Sequence, residues 1–306
     1  MRRPDRRFGA VCGLLLALCV PAAYADALDC PARIERAAPL AAPIHRQGLL
    51  WEVTAPDGDV GHLLGTIHLS SPDVTNLSPQ LRAVLDGSTR FGMEVLFDAP
   101  TLEGLGRSMW GGKADGLRAQ VDDALYQRTV GLLAAYGIDE PTAGQLKPWA
   151  VYTTLSLPAE QQGPPLDLLL MQLAQQTGKD LFGVETLAEQ LAVFERLSLA
   201  DQVELLRDTV CHYAAQQRDL RSLIEAYTAG DLARLYAEAM RYDSPAQSRL
   251  MSTLLDERNA RMATRLMPQF GSPGTFVAVG ALHLPGPGGV LERLIAAGFR
   301  VRALDR

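Results

Sequence analysis

The spacing of apolar and polar positions divides the chain into strand-rich ends and a helical middle. Residues 49–53 alternate as a strand does, Pro56-Asp57-Gly58-Asp59 reads as a tight turn, and 60–65 as its hairpin partner. After a loop at Ser70-Ser71-Pro72-Asp73, Ser78-Pro79 opens a helix that ends near Gly87, with proline at the first helical position. Residues 90–97 return as a strand and complete a β-loop-α-β unit. From about 101 to 267 the apolar period becomes three and four residues, in segments 122–136, 148–157, 166–177, 199–229, 231–240 and 246–267. One strand-like break, 180–184, interrupts them. The end mirrors the start, with a strand at 275–279, a helix at 290–297 closed by Gly298, and a last strand at 299–304. The expected fold is therefore α/β: a mixed central sheet built from N- and C-terminal β-loop-α-β units, with a large helical insert over about 101–267.

Two of the strands end alike. Leu63-Leu64-Gly65-Thr66-Ile67-His68 and Phe276-Val277-Ala278-Val279-Gly280-Ala281-Leu282-His283 each run from buried apolar residues through Gly-x-x-His into leucine and a loop rich in Pro, Gly or Ser. In an open α/β sheet, ligands sit outside the carboxyl ends of the strands, so His68 and His283 can face one crevice. A lone Gly-x-x-His is more often a structural histidine hydrogen-bonded to a neighbouring loop. Its recurrence at both ends of a chain with only five histidines favours a site.

Three further candidates carry charge where charge is informative. Glu94 falls inside the expected strand 90–97, where a carboxylate is costly unless it is paired or binds a cation. Glu185 stands at the strand-to-helix junction after 180–184, a place where the helix dipole favours a carboxylate in any case. Arg258, with Asn259 beside it, is either a solvated helix charge or the cation that orients Glu94 or Glu185.

Composition narrows the classes. Residues 1–25 read as a secretory signal, with Arg2, Arg3, Arg6 and Arg7 ahead of an apolar core and Ala23-Tyr24-Ala25 as the cleavage site. Cleavage near Ala25 predicts an exported protein, periplasmic or secreted, with 26–306 as a single domain and no transmembrane anchor in the mature chain. Residues 26–48, rich in Ala and Pro, are expected to cross the surface as an irregular arm. Losing four arginines and Asp5 makes the net charge more negative than the −6 of the whole chain, which argues against nucleic acid as a partner. Cys12 and Cys19 leave with the signal. Cys30 and Cys211 then remain, either as one disulfide or as two free thiols.

These residues together resemble the TraB/GumN family, whose wider relatives include the Tiki metalloproteases. The resemblance is carried by Leu64-Gly65-Thr66-Ile67-His68, Met93-Glu94, Gly183-Val184-Glu185-Thr186 with Glu189-Gln190, Arg258-Asn259, and Gly280-Ala281-Leu282-His283-Leu284-Pro285-Gly286 with Gly289. It implies an α/β fold with a helical insert and, by similarity to the Tiki branch, a metal-dependent hydrolase. In that picture the two Gly-x-x-His histidines and a glutamate carry the metal and the chemistry. The extracellular signalling substrate of the Tiki proteins is not transferred.

The expectation is a secreted, peptidase-like metallohydrolase acting on a peptide or small-molecule substrate. His68, His283 and Glu94 would hold a divalent ion (Mn, Co, Zn or Fe) and leave a position open for water. Glu185 would serve as general base or fourth ligand, and Arg258 and Asn259 would hold carboxylates or a developing oxyanion. Neither a His-Glu-x-x-His helix nor a Gly-x-Ser-x-Gly elbow is present, which sets aside the zincin and serine-hydrolase arrangements of those types. Two alternatives stay open: an exported protein that captures a metal, haem or peptide without turnover, and a purely structural role for both histidines.

Overall fold

The computed structural model describes residues 28–36, 45–160 and 163–305; the expected signal segment lies outside them. Six strands form one mixed sheet: β1 (Leu50–Thr54), β2 (Val60–Thr66), β3 (Arg90–Met93), β4 (Asp180–Gly183), β5 (Thr275–Gly280) and β6 (Arg300–Ala303), in the order β4-β3-β5-β2-β1-β6. The strands β4, β3, β5 and β2 are mutually parallel, whereas β1 runs antiparallel to both of its neighbours. The molecule is thus α/β with a substantial helical portion, and the break at 180–184 is a strand of the same sheet.

Local chemistry accounts for the elements. β1 and β2 close through a turn in which the Ala55 amide meets the Asp59 carbonyl at 2.8 Å, with Gly58 at φ 100°, a conformation glycine adopts without strain. β5 is the central apolar strand, buried from Thr275 to Val279, and Phe276 stacks on Phe91 of β3 with ring centroids 5.9 Å apart. Parallel strands covered on both faces read as such unbroken apolar runs. The helix Arg258–Phe270 buries Arg258, Asn259, Met262, Ala263, Leu266 and Phe270, one stripe at helical spacing. Away from the sheet, the helices Asp123–Leu133, Pro148–Leu155 and Leu199–Cys211 share a separate apolar core that includes Leu125, Val151 and Leu206.

Several boundaries differ from expectation, beginning with the loop over 70–73, which gives way to a short helix at Pro72–Thr75. The strand over 90–97 stops at Met93, so Glu94 stands just beyond its carboxyl end. The segment 199–229 is two helices, Leu199–Cys211 and Tyr213–Thr228, because His212 leaves helical geometry at φ −112°. The break falls where the N-terminal arm docks. Cys211 is joined to Cys30 by a disulfide, His212 Nε2 donates to the Pro31 carbonyl at 2.8 Å, and Arg33 reaches Asp208 and Asp219 at 3.2 and 3.1 Å. The arm is also bridged to the insert at Glu35 and Tyr242. Finally, 246–267 is interrupted by a π-helical turn at Ser252–Glu257, and the helix beyond it continues through Pro268 to Phe270. Among the described residues, no helix is long and apolar enough to cross a membrane.

Candidate active site

Four parallel neighbours end on one edge of the sheet, and each delivers a candidate residue just past its last position. Glu185 follows β4, Glu94 follows β3, His283 follows β5 in a short 3-10 turn, and His68 follows β2. The strand ends are level in pairs: Met93 lies opposite Gly183 and Ala278, and Thr66 lies opposite Gly280, two residues further along. The ladder even continues one step, since the amides of Val184 and Glu185 reach the carbonyls of Met93 and Glu94 at 2.8 and 2.7 Å. Two histidines more than two hundred positions apart in sequence therefore stand on adjacent strands.

Glu94 is buried and its carboxylate is engaged on both oxygens. Oε1 accepts from the Gly280 amide at 2.6 Å and lies 3.7 Å from His283 Nε2. Oε2 accepts from Arg258 Nη2 at 2.6 Å and from Gln190 Nε2 at 2.9 Å. Burial alone would raise its pKa, but His283, Arg258, His68 and the Gly280 amide together hold it well below the usual carboxylate range. It is ionised at neutral pH. A Cβ on Gly280 would come 3.2 Å from Oε1 and 3.4 Å from His283 Cδ2, so the missing side chain keeps the gap between carboxylate and imidazole open.

The two imidazoles are held in the same sense by different partners. His283 is buried, and its Nδ1 lies 2.7 Å from Asn259 Oδ1. His68 Nδ1 lies 2.8 Å from Asp167 Oδ2. An amide or carboxylate oxygen can only accept, so in both rings the proton sits on Nδ1 and any lone pair is on Nε2. Burial pushes His283 down to about 4, with Glu94 opposing and Arg258 reinforcing. The neighbouring Asp167 carboxylate, against the opposing pull of desolvation, pushes His68 up to about 9, although its side chain is 59% exposed.

Glu185 is placed differently from a base that must meet water. Its side chain has no exposed surface, and both oxygens are taken by arginines: Arg258 Nη2 and Nε at 2.6 and 2.9 Å, Arg261 Nη2 and Nε at 2.6 and 3.1 Å. Arg258 bridges Glu185 to Glu94 and is itself buried. Asn259 is committed to His283. Arg258 and Asn259 open the α-helix directly after the π-helical turn, and both are buried in the site.

Asp167 is the residue that sequence reading missed. Its signal was a carboxylate in the apolar run Leu166-Asp167-Leu168-Leu169-Leu170. Gln190, whose sequence signal is only its place in the Glu189-Gln190 motif, donates to Glu94 from the helix Leu187–Glu195, whose capping box is Thr186 with Glu189.

A scan of family models finds the TraB/PrgY/gumN family over residues 49–303. The chain belongs to the TraB/PrgY/gumN family. Among curated proteins it is similar to "Uncharacterized protein YbaP" of Shigella flexneri and of Escherichia coli strain K12, each 25% identical over 256 residues, covering 79% of this chain and 90% of YbaP. No solved structure matches the chain. The matched span starts just before β1 and ends with β6, so all six strands and all four site loops lie inside the family region.

Which of these side chains could hold a cation follows from their donors. His283 Nε2, His68 Nε2 and Glu94 Oε1 are borderline-hard nitrogen and oxygen donors suited to a first-row divalent ion. Among the described residues, no group of three or more His, Cys, Asp or Glu stands close enough together to hold a metal ion as the side chains are placed. The donor set fits such an ion in type, with both rings already committed at Nδ1 to an acceptor.

Proposed function

We propose that this TraB/PrgY/gumN protein is an exported metal-dependent hydrolase, peptidase-like in its chemistry. The observation that carries the reading is the pair of imidazoles on adjacent parallel strands, each with Nδ1 anchored on an oxygen, beside an ionised, buried glutamate. Anchoring of the second ring nitrogen is the usual arrangement around metal-ligating histidines. His68, His283 and Glu94 would hold the ion, with Mn, Co, Zn and Fe all compatible. Such an ion supplies a Lewis acid and a water whose pKa is lowered to about 7.

The chain's own groups divide the remaining work. Arg258 and Gln190 fix Glu94, and Asn259 fixes His283. Glu185 with Arg261 holds Arg258 in place rather than acting as a base, because it is sealed from solvent. His68, the exposed member, marks the side from which a peptide or small-molecule substrate would arrive. Export is supported by the basic and apolar character of residues 1–25 and by the Cys30–Cys211 disulfide, a bond that persists in oxidising compartments.

One observation favours a second reading, capture of a metal, haem or peptide without turnover: the enclosure of Glu185 leaves Glu94 as the carboxylate available for proton transfer, and its oxygens are already engaged. The experiment is the metal content of the purified mature protein, together with cleavage of a mixed peptide library with and without chelator, for wild type and His68→Ala. The hydrolase reading expects chelator-sensitive cleavage that His68→Ala abolishes. Stoichiometric metal with no turnover, wild type and His68→Ala behaving alike on every peptide, selects capture.

A further inference from the structure

We propose that Asp167 is the positioning residue of His68, and that through it one more helix of the middle of the chain is tied to the site. The proposal rests on the metal-centre reading above. Asp167 is the second residue of the helix Leu166–Gln176, and only 5% of it is exposed. A carboxylate so buried must be paired. Its oxygens are divided between two groups of the β2 end: Oδ1 accepts from the Thr66 hydroxyl at 2.5 Å and Oδ2 from His68 Nδ1 at 2.8 Å. The Leu166 amide secures the same junction by donating to the Leu69 carbonyl at 2.9 Å. Strand end, histidine loop and insert helix are thus tied at one point.

Two consequences follow for the site. His68 projects into solvent, where an imidazole would otherwise sample several rotamers, and the Asp167 contact selects one ring orientation and one tautomer. The two histidines are also unequal. His283 is oriented by the neutral oxygen of Asn259, whereas His68 is oriented by a carboxylate, which strengthens Nε2 as a donor as well as aiming it. A helix-start carboxylate can also serve the helix dipole alone. That simpler role predicts a change in stability and none in metal binding, which makes the two separable.

The test is titration of the full mature chain with Co2+, followed by calorimetry and by the visible absorption of the bound ion, for wild type, Asp167→Asn and Thr66→Val. Asp167→Asn keeps the volume and is expected to weaken Co2+ binding about 10–100-fold and to shift the absorption bands. Thr66→Val, which removes only the hydroxyl that steadies Asp167, is expected to weaken binding by a smaller factor in the same direction. If wild type binds Co2+ stoichiometrically and both variants match its affinity and spectrum, Asp167 is not a positioning residue. If wild type takes up none, the metal-centre reading itself fails and this proposal with it. Should Asp167→Asn not fold, Thr66→Val decides.

Discussion

Replacing Arg258 with methionine tests whether the buried charges are matched as the geometry requires. Methionine keeps an unbranched stem in the same space, while the guanidinium that spans Glu94 and Glu185 is lost. Two arginines, 258 and 261, face two carboxylates in the wild type, so the substitution leaves one buried negative charge in excess. Breaking a buried pair in this way costs about 3–5 kcal/mol. Each carboxylate keeps other donors, Arg261 for Glu185 and Gln190 with the Gly280 amide for Glu94. The expected loss is therefore near the lower end, about 3 kcal/mol. The assay is urea unfolding followed by tryptophan fluorescence, in chelator so that a bound cation does not compensate. Adding Glu185→Gln removes the surplus charge and should return about 1–2 kcal/mol relative to the sum of the single changes. A single-variant loss below about 1 kcal/mol, or a double variant at the additive sum, would refute the charge-matching argument.

Two further expectations concern the whole molecule. Cys30→Ser with Cys211→Ser opens a link between positions 181 apart in sequence, and chain-entropy reasoning gives a loss of about 3–5 kcal/mol in unfolding experiments; an unchanged midpoint against a reducing-agent control would show that the ion pairs of Arg33 hold the arm unaided. The metal-free protein should be most stable near the ordinary histidine pKa of 6.5, because its two site histidines shift in opposite directions. His68, raised to about 9 in the fold, contributes fully below 6.5 and loses that contribution as pH rises toward 9; His283, lowered to about 4, contributes above 6.5 and loses it as pH falls toward 4. Thermal midpoints from pH 4 to 9 in chelator should trace this dome, and His68→Ala should flatten its alkaline side; an unchanged alkaline side contradicts the pairing with Asp167.

Much of the site was legible because its residues break a local rule. Glu94 is a carboxylate inside an apolar run and Glu185 one at the end of a run, and His68 and His283 share one grammar of strand, glycine and histidine; each anomaly is visible in its own short segment. Asp167 breaks the same rule inside Leu166-Asp167-Leu168-Leu169-Leu170, yet a charge near a helix start has an ordinary explanation, so its sequence alone does not mark it. The interruption at His212 was illegible for a different reason: its cause is the docking of an arm some 180 residues earlier in the chain, through Cys30 and Pro31.

Periodicity and turn chemistry determined most elements of this protein, since hydrophobic spacing and prolines at helix starts act between near neighbours in the chain. They also placed His68, His283 and Glu185 at strand ends, whereas Glu94 read as lying inside its strand. Only the tertiary structure decided which strands lie side by side, and so that Glu185, Glu94, His283 and His68 follow one another along a single edge. It alone decided how each charge is used: Glu185 is enclosed by two arginines, and His68 is aimed by an aspartate 99 positions away. Pairing of buried charge depends on distances in space between segments remote in sequence, and such distances exist only once the chain has packed.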